Sequence, residues 1–295
     1  VYQYTMTSDE RLKRRLLAFQ INEVNEAAIY RRLACTVSDR HNSEVLQRIA
    51  HEEEEHASVW RNYTGEDVAP SRMKVFFFVC LARLFGLTFG IRLMEKGEDS
   101  AQAAYRDISD EIPEAEQIIH DEEEHEQRLI DLIDEERLRY MGSVVLGLND
   151  ALVELTGTLA GLTLALQNTR LIALAGLITG VAASLSMSAS EYLSRKTEQS
   201  DHNPLKASLY TAVAYIATVA VLIIPFLVVD SYLVALACTL INAVLIILIF
   251  TFYISVAQNL SFTRRFLEMV VISLGVAGIS FAIGMVIRSV LGIEV

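Results

Sequence analysis

The spacing of apolar residues changes character near Gly142. Before that point they recur about every 3.6 residues among many charges, the pattern of amphipathic helices. Leu12, Leu16, Phe19, Val24, Ala27, Ile29 and Leu33 mark a first helix, from a Ser8 or Asp9 cap to about residue 37. A turn at 39–43 leads to a second helix at about 44–63, closed by Thr64-Gly65-Glu66-Asp67 and Pro70. Residues 75–94 are nearly apolar throughout, but Arg83 and Arg92 interrupt them, so a buried or interface-packed helix is expected rather than a membrane span. A fourth helix starts at Ile112-Pro113, a favoured place for proline, and runs through Leu129, Leu132, Ile133 and Leu138.

After Gly142 the apolar residues come in blocks, at about 143–168, 171–193, 207–229, 232–257 and 268–291. Each is long enough to cross ~30 Å of hydrocarbon. The sequence thus predicts an all-α protein of two domains: a four-helix bundle at 1–141 and a five-span membrane domain at 142–295. Arg137 and Arg139 before the first span, Arg195, Lys196 and Lys206 after the second, and Arg264 and Arg265 after the fourth lie on one side. The positive-inside rule puts that side, and the N-terminal domain, in the cytoplasm and Val295 outside, with Arg288 dissenting. Membrane lipid is an expected partner. No cleavable leader is expected, since Arg11 to Arg15 open an amphipathic helix with no short apolar core behind them.

Charge sharpens the division. Residues 1–142 hold 18 of the 25 Lys and Arg and 29 of the 37 Asp and Glu, a net of −11. Such acidity repels phosphates, so no nucleic-acid partner is expected, and it attracts cations. Cys35, Cys80 and Cys238 show no Cys-x-x-Cys spacing and read as reduced, buried thiols.

Two six-residue runs focus the acidity: His51-Glu52-Glu53-Glu54-Glu55-His56 and His120-Asp121-Glu122-Glu123-Glu124-His125. Each carries Glu-x-x-His, as Glu53/His56 and Glu122/His125, which puts a carboxylate and an imidazole on one helix face. One such run is usually a solvated acidic face; two with the same spacing point to a shared cation site. Glu23/Tyr30 and Glu98/Tyr105 repeat at a similar separation, so the helix pairs read as an internal duplication. Glu26, Glu52, Glu55 and Glu124 fall off the ligand face and are expected to be solvated or to support the ligands from outside.

Glu23, Glu53-x-x-His56, Glu95-x-x-Glu98 and Glu122-x-x-His125, one motif per helix, resemble the rubrerythrin branch of the ferritin-like superfamily. The resemblance implies that Glu23, Glu53, His56, Glu95, Glu98, Glu122 and His125 bind two iron ions, or manganese. A donor set of carboxylates and a few imidazoles suits these metals.

In the spans, Asp150 and Glu154 lie one turn apart, and Met187 lies one turn before Glu191. Carboxylates inside a membrane are functional candidates by default. Gly157-x-x-x-Gly161 and Gly176-x-x-x-Gly180 allow close helix approach. The segment Gly147-Leu-Asn-Asp150 with Ser186-Met187-Ser-Ala-Ser-Glu191-Tyr192 resembles the vacuolar iron transporter family. Ala151 and Ser190 stand where that family usually has glycine. The resemblance implies that Asp150, Met187 and Glu191 line a path for a transported divalent metal, in a homodimer whose first spans flank the path. Bundle and membrane domain together resemble the bacterial membrane-bound ferritin group. That implies export of Fe(II), with Mn(II) as the other candidate, from the cytoplasm of a prokaryotic cell in exchange for protons. A membrane-tethered di-iron ferroxidase or peroxidase is the alternative.

Overall fold

The computed structural model describes residues 8–94, 96, 112–131, 140–198 and 203–291, and every described element is helical. The chain divides into two compact units, Val1–Glu135 and Glu136–Val295.

In the first unit α1 (Ser8–Ala34) and α2 (Arg40–Thr64) lie antiparallel. Ser43 Oγ donates to Ala34 O at one end, and Thr64 Oγ1 donates to Gln20 Oε1 at the other. Asp39 caps α2 by accepting from Asn42 N, so the helix starts at Arg40, earlier than the expected turn at 39–43 allows. Gly65, at φ 68°, ends it in the left-handed conformation. The third apolar segment is not one helix. α3 (Arg72–Phe85) stops at Gly86, whose φ of 106° favours glycine, and a second piece, α4, continues over 87–94. Gly90 lies against Ala82, where a Cβ would clash, so the two pieces fold closely on each other. α5 (Glu114–Asp131) carries the second acidic run.

Two apolar clusters form this unit's core. Ile29, Leu33, Leu46, Ile49, Ile91 and Leu129 belong to one, and Leu16, Phe19, Trp60, Ala115 and Ile118 to the other. Along each of α1, α2 and α5 the stretch between the clusters holds Glu23, Glu53/His56 and Glu122/His125. The site is therefore a polar layer closed by apolar layers on both sides. Cys35 and Cys80 are exposed and Cys238 is half-buried, which corrects the expectation of buried thiols.

The second unit contains α6 (Met141–Leu166), α7 (Thr169–Thr197), α8 (Pro204–Val228), α9 (Tyr232–Ala257) and α10 (Phe262–Leu291). All five are long and apolar enough to cross a membrane. α6 packs against each of the other four. Glycine lets it do so: a Cβ on Gly147 would meet Thr211 O of α8, and one on Gly157 or Gly161 would meet Val276 or Ser280 of α10. Gly176 and Gly180 receive Leu159 of α6 and Val219 of α8 in the same way. Hydroxyls tie the helices through backbone carbonyls, as in Thr211 Oγ1 to Ser143 O at 3.0 Å and Ser273 Oγ to Leu152 O at 3.1 Å.

Candidate functional site

Glu23, Glu53, His56 and Glu122 each place one potential ligand atom within 4.8 Å of the others, and all four are buried. His125, 3 % exposed, completes the group. The geometry is close to two-fold. Glu53 turns Oε2 to His56 Nδ1 (3.5 Å) and Oε1 to His125 Nδ1 (3.2 Å). Glu122 turns Oε1 to His56 Nδ1 (3.3 Å) and Oε2 to His125 Nδ1 (3.8 Å). Each carboxylate is thus shared between the two imidazoles, whose rings stack with centroids 5.7 Å apart. Glu23 approaches His56 Nδ1 at 4.0 Å and accepts from Trp60 Nε1 at 3.3 Å.

The outer nitrogens are held by acids from the opposite run. His56 Nε2 lies 3.4 Å from Asp121 Oδ2, and His125 Nε2 lies 2.6 Å from Glu52 Oε2. Glu52 and Asp121 occupy the same place in their runs, one residue before Glu53 and Glu122. A proton held on Nε2 by an outer carboxylate leaves Nδ1 as the inward-facing donor, the arrangement of metal-bound histidine. Glu53 Oε2, His56 Nδ1 and His125 Nδ1 are buried and make no hydrogen bond among the described residues. Buried polar atoms left this way are rare, and here they converge, so the residues fit a bound cation.

Without a cation the charges balance through protons. Burial opposes a charged His56, but contact with Glu122 and Glu53 outweighs it and raises the imidazole to about 11. The same contest, against Glu122 and Glu53, raises His125 to about 10. Burial pushes Glu53 up, but the two histidines and Glu23 pull it down to about 2. Glu23 is raised well above the usual carboxylate range, first by burial and then by the charges of Glu53 and Glu122.

The expected ligands Glu95 and Glu98, and Tyr105, lie outside the described residues. Glu26 is 5 % exposed, so it is not solvated, whereas Glu55 and Glu124 are exposed. Asp121 was not singled out from the sequence; its alignment with Glu52 in the duplicated run was the available signal.

In the second unit the carboxylates are dispersed. Glu154 accepts from the hydroxyl of buried Tyr215 at 2.9 Å. Glu191 accepts from Ser143 Oγ at 2.6 Å and pairs with Arg195 Nε at 2.9 Å. Asp150 is half-buried and has no hydrogen-bonded side-chain partner among the described residues. Met187 packs, partly buried, against the central core. Sequence reasoning missed Tyr215 and Ser143; a tyrosine inside an apolar span was the signal for the first. The i,i+4 spacing of Glu191 and Arg195 was open to reading.

Residues 141–202 match the model of the VIT family. The matched stretch spans α6 and α7, and therefore Asp150, Glu154, Met187 and Glu191. Over those residues the chain is similar to the vacuolar iron transporters, which move divalent metal across membranes. No curated protein and no solved structure matches the chain.

Proposed function

We propose that the protein is a membrane transporter that moves Fe(II), or Mn(II), out of the cytoplasm in exchange for protons. The observation that carries this reading is the VIT-family match over the two helices that hold Asp150, Met187 and Glu191. Asp150, without a hydrogen-bonded side-chain partner among the described residues, is the group open to a passing cation. Glu191 is held by Ser143 and Arg195, so a cation or proton that reaches it must displace Arg195 or share the carboxylate with it. Glu154 is exposed in a single chain although it lies within a span. A second copy against α6 would remove that carboxylate from lipid, which supports a homodimer with the path between the first spans.

In the same proposal the N-terminal unit is a ferritin-like four-helix bundle on the cytoplasmic side, which collects or senses the metal. Glu53, His56, Glu122 and His125, with Glu23, Glu95 and Glu98, would hold the two ions. Bound iron supplies one-electron redox chemistry. The residues do the rest: Glu52 and Asp121 orient the imidazoles, and Trp60 holds Glu23.

Closure of this site within one unit favours a second reading, a membrane-tethered ferroxidase or peroxidase. Fe(II) and Mn(II) flux into proteoliposomes, with oxygen and peroxide consumption on the same samples, separates the two. Transport predicts flux above protein-free vesicles. Oxygen or peroxide consumption that Glu53→Ala and His125→Ala abolish, with no flux in the unmodified chain, would establish the enzyme instead.

A further inference from the structure

The outward face of α3 is apolar. Met73, Phe76, Phe77, Cys80 and Leu84 follow the i, i+3, i+4, i+7, i+11 spacing of a single helical stripe. Met73 is 83 % exposed, Phe76 70 % and Phe77 54 %. The inward face is already used, since Val75, Phe78 and Val79 pack on the core cluster and Ala82 is buried. A second apolar stripe on a short helix is more than scattered surface hydrophobicity, and contiguous patches of this kind mark interaction sites.

Cations border the stripe. A groove of about 1020 Å³ between α1 and α3 is walled by Arg31, Arg32, Arg72 and Arg83, with Val75 and Val79 in its lining. Arg31 pairs with Glu54. Among the described residues, Arg32, Arg72 and Arg83 have no carboxylate at ion-pair distance. This holds in the half of the chain where acids outnumber bases 29 to 18.

We propose that this face binds the anionic lipid headgroups of the membrane that the chain spans. The aromatic stripe enters the boundary between headgroups and acyl chains, and the arginines meet the phosphates. Charge complementarity selects this occupant over a second copy. Two-fold pairing of α3 on itself would set Arg72 and Arg83 of one copy beside those of the other, unneutralised. An anionic surface neutralises them, at roughly fivefold in affinity per arginine and on the order of a hundredfold for three. Because α3 and the five spans share one chain, the surface is presented at high effective concentration.

The test uses the full chain in vesicles of phosphatidylcholine, alone or mixed with phosphatidylglycerol. A nitroxide on Cys80, with Cys35→Ser and Cys238→Ser, reports oxygen against nickel-chelate accessibility. The expected result is an oxygen-accessible, nickel-shielded label only when phosphatidylglycerol is present. Replacing Arg32, Arg72 and Arg83 with Gln should return it to water, with the lipid-bound fraction weakened on the order of a hundredfold. Trp60 emission in that variant reports that the unit stays folded. A label in water in both vesicles overturns the proposal, as does equal lipid contact without anionic lipid. Shielding from both reagents in either vesicle, with spin–spin broadening between copies, also overturns it and assigns the face to a second copy.

Discussion

The two sets of carboxylates differ in what satisfies them. In the first unit Glu53 Oε2, His56 Nδ1 and His125 Nδ1 face one another with no hydrogen bond among the described residues, and Asp121 and Glu52 hold the outer nitrogens. In the second unit, Tyr215 engages Glu154, and Ser143 and Arg195 engage Glu191, whereas Asp150 has no hydrogen-bonded side-chain partner among the described residues. In the proposed reading the first arrangement suits a cation that stays. The second already offers substitutes for a cation, which suits one that passes. Carboxylates alone do not tell a resident site from a path; the partners they keep do.

This comparison breaks most readily at Glu53. Glu53→Ala takes a carboxylate from both imidazoles and should lower metal retained per chain by two orders of magnitude or more, measured by elemental analysis after dialysis. Loss of one partner from a buried charged group typically has an effect of about 3–5 kcal/mol. Retention at the unmodified level would show that the site does not hold metal through Glu53.

Proton competition comes next. His56 and His125, raised to about 11 and about 10, are protonated at neutral pH in the metal-free site, so binding at Nδ1 must displace two protons. Apparent affinity should rise with pH, by up to about a hundredfold per unit, tenfold for each proton. Trp60, the only tryptophan, donates to Glu23 and makes its quenching a native titration signal. An affinity independent of pH between 6 and 8 would remove the histidines from the ligand set.

The supporting acids are a smaller test. Glu52→Gln and Asp121→Asn should each weaken metal binding about 10–100-fold, the usual effect of removing the outer partner of a ligating histidine. Unequal effects would break the two-fold reading, since Glu52 holds its histidine at 2.6 Å and Asp121 at 3.4 Å. Tyr215→Phe should change metal flux least, a few-fold, because it frees Glu154 without removing a carboxylate. A complete loss would make the tyrosine part of the path.

Much of this was legible in the sequence because periodicity carries it. Helical character, the five apolar segments and the inward Glu-x-x-His pairs all follow from spacing and residue type. What spacing does not carry is which acids meet across helices. Asp121 reaches His56 on another helix, and Ser143 reaches Glu191 across 48 residues. Glu26 reads from its own helix as either solvated or a support to the ligands, and its neighbours bury it. The break at Gly86 was hidden inside an apolar run, where a single glycine is a weak signal until its φ is known.

The most direct measurement pairs Fe(II) flux with metal occupancy of the Glu53/Glu122 site on one preparation of Asp150→Ala in proteoliposomes. The expected result is flux reduced to that of protein-free vesicles, with metal retained per chain unchanged. Flux at the unmodified rate would contradict it.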